Sequence, residues 1–481
     1  MAEQSLKDKT IKGLVWNAID NFAGLGIQFL IGIVLARLLS PSEYGIIGLI
    51  TVFLAVSEAF VTAGFGSALI RKQDRTEVDN STVFYFSVVA SFVFYFLLYV
   101  AAPLIADFYH LEILTPITRV LGLTLIAGAF CIVPNALFSS RIDFKTTAKI
   151  SIITALTGGG TGIVFAYYGF GVWALVYQML VSQLVRSILL FAYCKWWPKE
   201  RFSRDSFKTL FSFGSKLMFS GLLNALYNNL YSIVIGKLFA PSTLGLYTRA
   251  SAFANLPSSN MTNVLQRVTY PVLSTIQDEN ERLADIYRRL LKMSAYVIFP
   301  LMMLLFGISE PLILWILTDK WEGCIILLQL LCFSMMWYPI HAINLNLLQV
   351  KGRSDLFLKL EIIKKIIGTL IVVVSAFWGI IGLCVGGIVS SLISLVINTY
   401  YTGKMINAGF VKQMLDVFPI FIVSLMGGCL ALIATYIPIE WNIVRLIIGC
   451  VVFALFYLIA SKIWLKNEYE ETLKLLKIKR K

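Results

Sequence analysis

The chain has 481 residues, 58% of them hydrophobic and only 14% charged, with a mean hydropathy of +0.79. Those proportions exclude a soluble globular domain, in which roughly 25% of residues are charged, and so exclude most soluble enzyme classes. A net charge of +14 would raise nucleic acid as a partner, but the placement of the charge points to a membrane topology instead.

Apolar runs of about 18 residues or more can each cross a ~30 Å hydrocarbon core as a helix. In the first part of the chain they lie at roughly 14–36, 44–66, 81–105, 115–138, 147–168 and 171–194. After a polar stretch at 195–208 they resume at roughly 209–236, 246–272, 291–317, 325–349, 356–377, 380–402, 417–437 and 442–464. The expected fold is an all-α polytopic membrane protein of about fourteen transmembrane helices. Turns such as Tyr168-Gly169-Phe170 leave no room for a folded domain outside the membrane. The first apolar stretch is long and ends without a small-residue cleavage site, so it reads as a retained span.

Basic residues gather on one side of this topology. They include Arg71, Lys72 and Arg75, then Arg141, Lys145 and Lys149, then Lys195 to Lys208, then the tail ending at Lys481. The opposite connections carry Asp107, Glu112, Glu310, Glu322 and Glu440. By the positive-inside bias, both termini are expected in the cytoplasm.

Spans 1 and 7 share a line of text. IVLARLLSPSEYG from Ile33 matches IVIGKLFAPSTLG from Ile233 without a gap, with Pro41, Ser42 and Gly45 recurring as Pro241, Ser242 and Gly245. Six spans separate the copies, so both cross in the same direction and describe a parallel repeat. A weaker echo, Arg141-x-Asp143 and Arg353-x-Asp355, opens spans 5 and 11. The expected organisation is an N-terminal lobe at 1–194, a cytoplasmic linker at 195–208, a second six-helix lobe at 209–402, and two further spans with a basic tail at 403–481. Duplicated membrane halves enclose a cavity where they meet, which favours a carrier over an enzyme.

Ionisable and amide groups inside spans are costly and face water, a substrate or a partner. Span 1 places Asp20, Gly24 and Gln28 at four-residue steps, and span 2 adds Glu58. Asp20 and Glu58 are candidates for coupling to H+ or Na+, with a structural pair to Lys216 as the alternative for Asp20. In span 5, Gly158-x-x-x-Gly162 fits close helix packing better than a phosphate cradle. Span 7 carries Lys216, Ser220, Asn224 and Asn228 along one helical ridge. Span 8 carries Arg249, Asn260, Asn263 and Arg267 on one face, interrupted by Pro257, which removes a backbone hydrogen bond. These cations suit a diphosphate or an acidic sugar, since Arg grips phosphate through a planar fork. Arg249 and Arg267 could equally snorkel to the two interfaces.

Seven cysteines and two histidines, His110 and His341, are scattered without metal-ligand spacing, so neither a metal nor another cofactor is expected. Spans 13 and 14 carry almost no polar group apart from Arg445 and read as peripheral to the conduit.

The segment Ser40–Asp74, SPSEYGIIGLITVFLAVSEAFVTAGFGSALIRKQD, resembles the polysaccharide exporters of the multidrug/oligosaccharidyl-lipid/polysaccharide superfamily, in particular its WzxC-type and teichuronic-acid exporters. VPNALFSSRIDF at 133–144, GFGVWALVYQMLVSQLVR at 169–186 and GLYTRASAFANLPSSNMTNVLQRVTYPVLS at 245–274 extend the resemblance. It implies two six-helix lobes around a cavity that opens alternately to each side. It implies flipping of undecaprenyl-diphosphate-linked oligosaccharide across the bacterial inner membrane for capsule, exopolysaccharide or O-antigen assembly. The implied partners are that lipid-linked substrate, membrane lipids and the polymerase or export machinery, with the protein acting as a monomer. A cation-coupled drug antiporter and a peptidoglycan-precursor flippase are the alternatives, and a membrane polymerase or ligase the remaining one.

Overall fold

The computed structural model describes residues 24–478 apart from Ile142. Every regular element among them is helical, as lipid demands, because a helix satisfies its backbone donors and acceptors internally. Ten helical runs are long and apolar enough to cross a membrane, and the chain is a multi-pass membrane protein. Ten falls short of the fourteen spans read from sequence, for identifiable reasons. Ser354–Ile406 is one run of 53 residues, yet a tight turn at Ala376–Trp378 divides it into two expected spans. Gly24–Leu38 is short within the described residues, and the helices between 204 and 274 are too polar or too broken to qualify.

Contacts divide the chain into two compact units, Met1–Gly245 and Leu246–Lys481. The first holds α1 (Gly24–Leu38), α2 (Pro41–Thr62), α3 (Phe65–Arg71), α4 (Glu77–Tyr109), α5 (Leu114–Ser140), α6 (Phe144–Tyr167), α7 (Val172–Cys194), α8 (Arg204–Asn228) and α9 (Leu230–Leu238). Helix α10 (Pro241–Asn255) starts in this unit and runs into the second. At the start of α2 the Ser40 N–H and hydroxyl both donate to Glu43 Oε2, at 2.6 and 2.9 Å, with Pro41 in the first helical position, a strong start signal. The helix stops where Ala63 and Gly64 turn left-handed, at φ +42° and +67°.

At the start of α4, Asp79 is only 1% exposed. Its carboxylate accepts from the Thr76 N–H at 2.9 Å, from Lys72 Nζ at 2.8 Å and from the Ser206 hydroxyl. Beside it, Trp196 Nε1 donates to Glu77 at 2.6 Å, and the backbone N–H groups of Glu200 and Ser203 donate to Ser81 and Thr82. Phe84 packs edge-on against Phe130 and Trp196, and Phe207 stacks on Phe211. Residues 195–203 therefore form a strap bound along α4, and α8 is delivered onto α2, α3 and α4.

The second unit continues α10 through a π-helical turn at Leu256–Asn260 into α11 (Met261–Ser274). Pro257 lies in that turn, where its missing N–H favours the wider winding, and the Ser258 hydroxyl ties it to the Met335 carbonyl at 2.6 Å. There follow α12 (Asn280–Gly307), α13 (Ser309–Leu317), α14 (Cys324–Met335), α15 (Tyr338–Val350), α16 (Ser354–Ser375), α17 (Gly379–Ile406), α18 (Phe410–Thr435), α19 (Asn442–Trp464) and α20 (Lys466–Ile478).

Helices α18 and α19, expected to be peripheral to the conduit, are integral to the packing of this unit. Gly307 and Gly428 let the backbones of α12 and α18 meet, since a Cβ on either would come within 2.6–2.7 Å of a carbonyl oxygen of the other helix. Asp416 accepts two bonds from Arg288, at 2.6 and 2.8 Å, and pairs with Lys292 at 3.2 Å. Arg445 of α19 bridges to Glu310 at 2.6 Å. Their few polar groups are thus spent on holding α12 and α13.

Candidate functional site

In the first unit, α2, α5 and α7 enclose a cavity of about 400 Å³. Its polar lining is Thr51, Glu58, Thr62, Thr124, Gln178, Ser182 and Gln183. Glu58 lies on the exposed face of α2 and forms no ion pair among the described residues. Arg186, one turn beyond Ser182, and Glu58 both lie within electrostatic reach of Cys131, whose Sγ accepts from Gln183 at 3.7 Å. A carboxylate among hydroxyls and amides makes a hydrogen-bonding recess able to hold a cation or sugar hydroxyls.

The glycines of span 5 do what close packing requires. A Cβ on Gly158 would sit 1.8 Å from the Ser182 hydroxyl, and one on Gly162 would lie 3.0 Å from Gln178 Cβ. They press α6 against α7 and so set the wall that carries Gln178 and Ser182.

The α8 ridge is exposed throughout: Lys216, Ser220, Asn224 and Asn228 share one accessible face, and only Leu210 and Gly214 of this helix are buried. Lys216 forms no ion pair among the described residues, whereas Asn224 is engaged. Gln28 is exposed on α1. Asp20 lies outside the described residues.

Arg249 belongs to the second unit, where its guanidinium lies 5.7 Å from the ring centroid of the fully buried Trp321. That stacking, a cation–π contact, holds the arginine half-buried on α10. Asn260 closes the π-helical turn and Asn263 and Arg267 follow on α11, and the side chains of these three lie outside the described residues. Thus Gln28, Glu58, Lys216, Asn224 and Asn228 fall in the first unit, and Arg249, Asn260, Asn263 and Arg267 in the second.

A second polar cluster escaped the sequence reading. In the second unit Ser391 Oγ donates to the Ser334 carbonyl, so it can only accept from His341 Nε2, at 3.1 Å. His341 Nδ1 then accepts from Asn398 at 3.2 Å, which assigns a neutral imidazole with its proton on Nε2. Nearby, Asn344 bonds Gln413 at 2.9 Å and Thr402 at 2.7 Å. All are buried or nearly so, and they tie α15 to α17 and α18. The spacing of Ser391, Asn398 and Thr402 at steps of seven and four was the available signal.

Comparison with known proteins places this geometry. The chain matches the family described as polysaccharide biosynthesis protein over residues 34–326. It is 26% identical over 354 residues to the teichuronic acid biosynthesis protein TuaB of Bacillus subtilis (strain 168), covering 73% of each chain. It is 24% identical over 421 residues to the lipopolysaccharide biosynthesis protein WzxC of Escherichia coli (strain K12), covering 85% of this chain and 84% of that one. Among solved structures, the lipid II flippase MurJ in an inward closed conformation matches with TM-score 0.73 at 14% identity, over 93% of this chain and 99% of that one. A multidrug resistance MATE family transporter of the MOP superfamily, inward-facing, matches with TM-score 0.61 at 18% identity, over 82% and 98%. At such identities the structures speak for the fold alone.

Proposed function

Because the chain belongs to the polysaccharide biosynthesis protein family, we propose that it flips undecaprenyl-diphosphate-linked oligosaccharides across the bacterial inner membrane by alternating access, supplying capsule, exopolysaccharide or O-antigen assembly. The observation that carries the reading is the family match, joined to relatives named for teichuronic acid and lipopolysaccharide biosynthesis. A transporter fold with a polar recess and an exposed cationic ridge supports it. The protein acts by binding and moving its cargo, without covalent chemistry or a cofactor, and both termini face the cytoplasm. The lobes at 1–194 and 209–402 move about a shared passage.

Lys216, Asn224, Asn228 and Arg249, with Gln28, Asn260, Asn263 and Arg267, contact the diphosphate or sugar. Asp20 and Glu58 couple transport to H+ or Na+. The protein works as a monomer, takes no nucleic acid, and hands its product to polymerase or export machinery. Deleting the gene should cause undecaprenyl-diphosphate-linked oligosaccharide to accumulate in the cytoplasmic leaflet. The likeness to MurJ favours one second reading, a peptidoglycan-precursor flippase. Accumulation of a peptide-bearing intermediate instead would select it.

A further inference from the structure

Two reciprocal glycine contacts hold the two ends of α2, one to the repeated turn at Pro241–Gly245 and one to α8. At the first, a Cβ on Gly45 would lie 1.7 Å from the Pro241 carbonyl oxygen, and a Cβ on Gly245 would lie 1.8 Å from the Pro41 carbonyl oxygen. The repeated Pro-Ser-x-x-Gly turn thus packs on its own copy with pseudo-two-fold symmetry. That explains why proline and glycine recur while Ser40 and Glu43, the helix-starting pair, give way to Ala240 and Thr243. At the second contact, a Cβ on Gly64 would lie 2.6 Å from the Gly214 carbonyl oxygen, and one on Gly214 would lie 2.5 Å from that of Ala63. Neither contact admits a side chain on these glycines.

Gly45 and Gly64 are 19 residues apart, about 28 Å along a helix at ~1.5 Å per residue. That is close to the ~30 Å thickness of a hydrocarbon core, so the contacts stand at opposite faces of the membrane. Arg71, Lys72 and Lys208 near the second put it on the basic, cytoplasmic side. The accessible ridge of α8 begins just above it, with Lys216 and Ser220 lying between Gly214 and the outer contact.

We propose that these contacts are the two gates of the passage, parting in alternation: the Pro41–Gly45/Pro241–Gly245 pair toward the outside and the Gly64/Gly214 pair toward the cytoplasm. Backbone meeting backbone can separate and re-form without re-sorting interlocked rotamers. At the outer pair the repeat supplies one matched surface from each copy. Both pairs are closed in this structure. The proposal rests on the transport reading only for what passes between the gates.

The test places a single reporter, Ser220→Cys, between the gates and labels it with a membrane-impermeant maleimide. The reagent is added to intact spheroplasts or to inverted vesicles, with the parent protein as the background for native cysteines. Gly45→Leu should raise labelling from outside roughly tenfold and lower labelling from inside, and Gly214→Leu should do the reverse, because population gained by one open state is drawn from the other. Gly66→Leu, at a glycine with nothing within 4 Å, should change neither. If the leucine variants fail to reach the membrane, Gly45→Ala and Gly214→Ala carry the same comparison. A Ser42→Cys/Ser242→Cys protein closed with a short thiol crosslinker disturbs no glycine and should lose outside labelling until the crosslink is cleaved. Labelling that stays independent of side, or rises equally from both, overturns the proposal. Lost surface polysaccharide with labelling not switched between sides removes the gates alone. Switched labelling in a protein whose deletion leaves every lipid-linked oligosaccharide unchanged removes the polysaccharide reading alone.

Discussion

Replacing Asp79 with alanine removes one acceptor from Lys72, Thr76 and Ser206 at once. Losing the cap at Thr76 costs about 1 kcal/mol. Losing the bonds from Lys72 and Ser206 adds about 2 kcal/mol, at the low end for charged hydrogen bonds because the Lys72 side chain, 27% exposed, rehydrates. The strap at 195–203 hangs on the start of α4 through Trp196, Glu200 and Ser203, so loosening that start by about 3 kcal/mol raises the open population of the strap by up to roughly 100-fold. Lys195, Lys199 and Arg201 lie in that strap and Arg204 follows at once, so trypsin reads its opening directly. When opening is fast relative to cleavage, the rate follows the open population. Detergent-solubilised Asp79→Ala protein should therefore be cut between α7 and α8 up to about 100-fold faster than the parent. Cleavage at the Lys351–Arg353 turn should stay unchanged. Glu77→Gln, which weakens the bonds from Trp196 and Asn80, should raise the rate by about tenfold. If Asp79→Ala changed the rate by less than about threefold, the strap would not be held by this carboxylate.

Lys216→Ala and Arg249→Ala should each abolish surface polysaccharide while membrane levels stay normal, and normal polysaccharide in both would refute a cationic substrate path. Glu58→Gln should keep basal flipping but lose its acceleration by an imposed proton or sodium gradient. Full acceleration in the variant would remove Glu58 from coupling. Asp416→Ala strands Arg288 and Lys292, which are 40% and 35% exposed and so rehydrate. The loss should be about 2 kcal/mol rather than the ~3–5 kcal/mol of a fully buried pair, seen as a lowered thermal unfolding midpoint. His341→Phe leaves the Ser391 hydroxyl and the Asn398 amide without their ring partners and should destabilise by about 2–4 kcal/mol. His341→Gln, which keeps one bond, should cost less, and equal midpoints for the two would show that the imidazole bonds contribute little.

The helical fold and the duplication were legible because they rest on signals that survive without neighbours: run length, and a proline and glycine at fixed offsets. The α8 ridge was legible for the same reason, since four-residue steps define one face wherever the helix packs. Other features needed the third dimension. The recess around Glu58 is built from Thr51, Thr124, Gln178 and Ser182 on three helices, each too ordinary alone to stand out among threonines and glutamines that merely cap or pack. Trp321 lies 72 residues beyond Arg249, and no spacing rule links a cation to an aromatic platform on another helix. Asp416 sits just before span 13, where it reads as a loop charge until α12 brings Arg288 alongside. His341 is one of two distant histidines in sequence, and its partners on α17 come from fifty residues away.

The central claim, that this chain carries a lipid-linked anionic oligosaccharide through the bilayer along the Lys216 ridge, is tested most directly in proteoliposomes. Purified protein is reconstituted with a fluorescent undecaprenyl-diphosphate-linked oligosaccharide in both leaflets, and a membrane-impermeant quencher is added outside. Wild-type protein should render nearly the whole pool quenchable, while Lys216→Ala leaves the inner-leaflet fraction protected as in protein-free vesicles. An inner-leaflet pool equally protected with and without the wild-type protein would contradict the account.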